Sequence, residues 1–79
     1  MKPVFVLIKC RLGRAYDVAG EIMDNVEQVA EVHSTSGQYD LLAKFHLGNE
    51  DDIGHFVTET LQKIDGVADT FTIVTFKAF

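Results

Sequence analysis

The chain repeats its own plan once. "QVAEVHSTS", residues 28–36, follows one helical stripe, and "GVADTFTIV", residues 66–74, follows a second; both carry Val-Ala-acidic after their first residue. Before the first stripe comes "PVFVLIKCR", residues 3–11, an apolar β-branched run led by proline at its permitted edge position, which predicts a strand. Gly13 ends that run. Ala15, Val18, Ala19, Ile22 and Val26 then recur at spacings of three and four, the mark of an amphipathic helix. A second strand over 29–36 turns at Gly37 and Gln38 and returns as "YDLLAKFHL", residues 39–47. Asn49 is the expected N-cap of the second helix, with acidic residues at 50, 51 and 52 favouring the positive end of its dipole. Ile53, Phe56, Val57, Leu61 and Ile64 form its apolar stripe. Lys63 lies in its last turn and Gly66 suits the stop. "VADTFTIVTFKAF", residues 67–79, is the fourth predicted strand.

The order is therefore β-α-β-β-α-β within one domain, residues 1–79. A duplicated split β-α-β predicts an α+β, ferredoxin-like sandwich: a four-stranded antiparallel sheet with two helices on one face. A chain of 79 residues buries only about 60% of its unfolded surface, so a single copy is marginal. Cys10 is the only cysteine, which removes intrachain disulfides, and no Cys/His spacing suits zinc. Oligomerisation is the remaining support. The strands agree, because both faces are apolar. Val4, Val6, Ile8 and Cys10 line one side of the first strand and Phe5 and Leu7 the other; Phe71 and Ile73 oppose Val74 and Phe76 in the fourth. A helix-free sheet face this apolar predicts a dimer formed sheet to sheet.

Charge and motifs exclude several functions. The net charge is −5, and only Lys9, Arg11 and Arg14 approach a basic cluster, so direct nucleic-acid binding is not expected. The run "VFVLI" is too short for a signal-peptide core or a membrane span, which leaves the cytoplasm as the default compartment. His33, His46 and His55 fall on three different elements without ligand spacing, Cys10 reads as a small core residue, and no glycine-rich phosphate loop occurs. No metal, cofactor or catalytic group is expected.

The stretch "STSGQYDLL", residues 34–42, holds the remaining polar chemistry. Gly37 suits a positive φ, Ser34 and Ser36 supply hydroxyls, and Gln38 supplies an amide. Asp40 has two readings that the residues leave open: it accepts bonds from turn N–H groups, or it receives the ammonium of a zwitterionic ligand.

"SGQYDLLAKF" followed by "LQKIDGVADTFTIV" resembles the effector-binding (RAM) domain of the Lrp/AsnC transcriptional regulators. The resemblance rests on Gly37, Tyr39 and Asp40 at the hairpin, then on Gly66, Val67, Thr70, Thr72, Ile73 and Val74. It implies dimers that assemble into rings or octamers, with effector amino acids bound between dimers. It implies a ligand against Gly37, Tyr39 and Asp40 with hydroxyls from Thr70 and Thr72; Ser34, Ser36 and Gln38 join by adjacency. Regulators of this family carry a helix-turn-helix before the domain, and here the first strand starts at Pro3. The expectation is a stand-alone module, not an enzyme, that acts through a partner such as a full-length regulator of the family. The rivals are a cofactor-free dimeric αβ-barrel enzyme, of monooxygenase or isomerase type with His33 or His46 turned inward, and a purely structural oligomerisation module.

Overall fold

A computed structural model describes residues 2–79. Strand β1 (Lys2–Cys10) leads into helix α1 (Ala15–Asn25), then β2 (Val29–Ser34), β3 (Leu41–Leu47), helix α2 (Ile53–Phe56) and β4 (Val67–Val74). The second helix continues past Phe56 as a wider π-helical segment, Val57–Leu61, in which Gln62 N–H donates to Val57 O at 2.9 Å. The sheet order is β2-β3-β1-β4, every neighbouring pair antiparallel, so β1 is central and paired on both sides. This is the predicted ferredoxin-like sandwich.

The even-numbered side chains of β1 face the helices. Val4, Val6 and Ile8 are fully buried with Leu41, Ala43, Phe45 and Leu47 of β3, Val18 and Ile22 of α1, and Leu61. Phe45 and Phe56 meet edge to face at 5.1 Å between ring centres, which ties α2 to the sheet. Among the described residues no polar or charged side chain is buried. Both helical stripes read from the sequence pack as expected, with Ala15, Ala19, Ile53 and Ile64 at the margins.

Several boundaries differ from the sequence reading, each for a local reason. β2 stops at Ser34 and β3 starts at Leu41, so the connection is a loop over residues 35–40 and not a two-residue turn. Thr35 closes it: its N–H donates to Asp40 O at 2.9 Å and its Oγ1 donates to Tyr39 O at 2.7 Å. The N-cap of α2 is Asp52, not Asn49. Asp52 is extended and its Oδ1 accepts from His55 N–H at 2.9 Å. Asn49 lies instead in a tight turn where Asp51 Oδ2 accepts from Gly48 N–H at 2.7 Å. Lys2 Nζ donates to Asp51 O at 2.7 Å and holds that turn to β1. β4 ends at Val74, five residues before the sequence ends.

Gly66 precedes β4 at φ +101°, and a Cβ there would lie 2.9 Å from Val18 Cγ2 and 3.2 Å from Arg14 Cβ. Its carbonyl accepts from Arg11 N–H at 2.8 Å, so the β1–α1 and α2–β4 connections are sutured at this point. Gly66→Ala is expected to destabilise the domain by about 1–3 kcal/mol in urea unfolding, from left-handed strain and the clash combined. Gly20→Ala, on the exposed side of α1 with open space around its Cβ, is expected to stabilise by up to about 1 kcal/mol in the same assay.

Candidate functional site

β1, the turn after it and the β2–β3 loop converge at one end of the sheet. Asp40 sits between them. Its N–H donates to Ile8 O at 2.9 Å, and its Oδ2 accepts from Cys10 N–H at 2.7 Å. The pairing of β1 with β4 shifts register between Lys9 and Cys10, a β-bulge. The carboxylate caps the bulged end of β1, and no hydrogen bond reaches its Oδ1 among the described residues.

Beside Asp40 an open groove of about 450 Å³ runs along residues 9–13, Ala15 and Tyr16. Gly13, at φ +78°, turns the chain from β1 into α1. Leu12 at the tip of that turn is fully exposed and Tyr16, one helical turn later, is 80% exposed. Lys9 and Arg11 line the same groove. Acid, base and apolar surface thus share one concavity, the combination that orients a small zwitterion with an apolar tail. Of the two cations here Arg11 is paired, its Nη1 standing 3.6 Å from Asp65 Oδ1. A second groove lies beside Arg14 and Lys63. Its cations are already paired: Arg14 with Asp65 at 3.2 Å and Asp17 at 3.1 Å, and Lys63 with Glu59 at 3.0 Å.

The residues named from the sequence divide into three groups. Tyr39 and Asp40 are half-buried at the groove end of the sheet, and the Tyr39 ring lies 6.3 Å from that of Phe71. Ser34, Ser36, Gly37 and Gln38 are exposed along the loop, with Gly37 at φ +99°. Thr70 and Thr72 pair with Ile8 and Val6 and so belong to the helix-side face of β4. There Thr70 Oγ1 accepts from Gln62 Nε2 at 2.8 Å. A single copy does not bring those two hydroxyls to Asp40. Sequence reasoning missed the groove contributions of Lys9, Arg11, Leu12 and Gly13, whose only signal was an unexplained leucine in a turn. Tyr16 lies off the apolar stripe of α1.

On the sheet face away from the helices, Phe5 pairs with Ile73, and Leu7 pairs with both Leu42 and Phe71. Lys44 Nζ stands 5.7 Å over the Phe5 ring. Toward β2 this face becomes polar, with Glu31 and His33 in contact at 2.9 Å. His33 and His46 both belong to it, opposite Leu42 and Pro3 respectively.

A family model described as the Lrp/AsnC ligand binding domain matches residues 3–79. The HTH-type transcriptional regulator FL11 of Pyrococcus abyssi is 32% identical over 73 residues, covering 92% of this chain and 47% of that protein. The chain spans about half the length of the curated relatives it matches. TTHA0845 of Thermus thermophilus superposes with a TM-score of 0.88 at 35% identity, covering 100% of this chain and 98% of that one. The transcriptional regulator NMB0573 of Neisseria meningitidis, solved as an L-Met complex, shares the fold at a TM-score of 0.82. It is 21% identical, over 96% of this chain and 50% of that one.

The geometry at Asp40 sets expectations for stability and its pH dependence. Asp40→Ala removes a charge-assisted bond and leaves Cys10 N–H unpaired, which is expected to cost about 1.5–3 kcal/mol in urea unfolding. Asp40→Asn keeps an acceptor and should recover part of that loss. Burial raises the Cys10 thiol above its ordinary value, and the charge of Asp40 raises it further. The unfolded chain therefore releases this proton first, and stability should fall as pH climbs past about 8.5. Unfolding titrations at pH 7.5 and 9.5 should show this part of the slope missing in Cys10→Ala.

Proposed function

The chain belongs to the Lrp/AsnC family of transcriptional regulators as its ligand binding domain, and on that premise we propose that it is an effector-binding and oligomerisation module whose ligand is an amino acid. The observation that carries this reading is the groove beside Asp40, where a carboxylate with one uncommitted oxygen adjoins Lys9, the Asp65-paired Arg11 and an exposed leucine–tyrosine wall. The ligand ammonium goes to Asp40 and its carboxylate to the cationic turn of Lys9 and Arg11. Its side chain lies on Leu12 and Tyr16. The loop residues Ser34, Ser36, Gly37, Gln38 and Tyr39 rim the site. Thr70 and Thr72 complete it when a neighbouring copy supplies them. The L-Met named in the NMB0573 complex supports the ligand class.

The apolar face of Phe5, Leu7, Leu42, Phe71 and Ile73 supports a homodimer built sheet to sheet, with dimers joining into larger assemblies. The module works in the cytoplasm without DNA contacts of its own, by co-assembly with full-length regulators. The space between sheet and helices is lined by apolar side chains among the described residues, which favours binding over catalysis.

A thermal-shift screen of the twenty amino acids tests the reading. A ligand at ten times its Kd stabilises by about 1.4 kcal/mol, about 6 °C or more for a domain of this size. Leu12→Asp and Arg11→Ala should each abolish the shift without lowering the ligand-free Tm. A folded, oligomeric protein that responds to none of the twenty at millimolar concentration refutes the effector site and leaves the structural-module reading.

A further inference from the structure

Arg11 is shared between two places. It lines the groove beside Asp40, yet its guanidinium stands 3.6 Å from Asp65 Oδ1. Asp65 belongs to the α2–β4 connection and lines the second groove together with Arg14. The backbone at this junction is fixed. Arg11 N–H donates to Gly66 O at 2.8 Å, and Gly66 is packed at its left-handed φ against Val18 and Arg14. The Arg11 side chain, 66% exposed, therefore chooses its partner from a pinned backbone.

The two arginines hold Asp65 unequally. Arg14 Nη2 donates to Asp65 Oδ2 at 3.2 Å, while Arg14 Nε donates to Asp17 Oδ2 at 3.1 Å. Arg11 reaches only the other oxygen of Asp65, at a distance too long for a hydrogen bond. An exposed pair held by charge alone sits at the weak end of surface ion pairing. A carboxylate entering the groove offers the Arg11 guanidinium more, because parallel N–H donors match its two oxygens in short, charge-assisted bonds. Arg11 is thus the arginine that lets go, and Asp65 stays with Arg14.

We propose that Asp65 sets the affinity of the groove: it holds Arg11 back, and binding exchanges the Arg11–Asp65 pair for a pair between Arg11 and the amino-acid carboxylate. This rests on the effector site proposed above and adds the residue that tunes it. Apparent affinity falls by the fraction of the chain in which Arg11 is free. A surface pair of ordinary strength leaves that fraction at about 15–40%, so Asp65 weakens binding about two- to sixfold.

Thermal-shift titrations on the unaltered chain, on Asp65→Asn and on Asp17→Asn test the exchange. The probes are the twenty amino acids and, for each that binds, its carboxamide. Asp65→Asn keeps the size of the side chain and should tighten the amino acids about two- to sixfold. The carboxamides give Arg11 no anion to pair with and should gain nothing. Asp17→Asn removes the same charge from the same cluster but leaves Arg11 untouched, and should bind as the unaltered chain does. Unchanged affinity in Asp65→Asn overturns the exchange, as does a gain shared by Asp17→Asn or by the carboxamides; the effector site then stands, because binding persists. Absence of binding by all three proteins overturns both.

Discussion

Strand β1 carries apolar side chains on both faces while pairing with a neighbour on both edges. One face is consumed by the helices: Val4, Val6 and Ile8 lie under α1 and α2 and are fully buried. The other face leaves Phe5 and Leu7 among Leu42, Phe71 and Ile73, with no helix packed over them. A strand that is polar on one side makes a complete sandwich with two helices. This one is apolar on both sides, so the nine residues that line the monomer core also leave an apolar face of the kind the proposed dimer would cover.

The periodic parts of the fold were legible because they depend on local spacing. Val18, Ile22 and Val26, and later Phe56, Val57 and Leu61, are buried as their stripes predict. Boundaries were less legible where a distant partner decides them. Ser36, Tyr39 and Asp40 have ordinary strand neighbours, yet Asp40 bonds Ile8 and Cys10, some thirty residues earlier, and the loop opens to suit that contact. Asn49 and Asp52 are both competent caps. Lys2 and the Asp51 carboxylate hold the turn before the helix, and that leaves Asp52 at its start. The end of β4 is hidden from local patterning because its sequence stays strand-like to Phe79, whereas its pairing with the neighbouring strand ends at Val4 and Val74, next to Pro3.

The candidate site was legible in one wall only. Tyr39 and Asp40 stand out as costly choices for a turn. The opposite wall is built from Lys9, Arg11, Leu12 and Tyr16, which straddle the end of a strand and the start of a helix. No single period links them, so neither a strand nor a helix pattern marks them as a group. Thr70 and Thr72 illustrate the reverse case. Their motif is conspicuous in sequence, but alternation assigns them to the helix side of β4, where Gln62 engages the first. A motif specifies residues in order; which face of a sheet they share depends on register.

Asp40 shows why a single residue kept two readings open. Turn chemistry and ligand binding compete only if each needs the whole carboxylate. Here the fold uses Oδ2, in a short bond to Cys10 N–H that anchors the bulged end of the central strand. A carboxylate has two oxygens and about four acceptor positions. The same bond that fixes the side chain against β1 restrains the other oxygen at the edge of the groove. A binding group already ordered by the fold loses less entropy when a ligand arrives. The structural role of Asp40 therefore strengthens the case for its functional one.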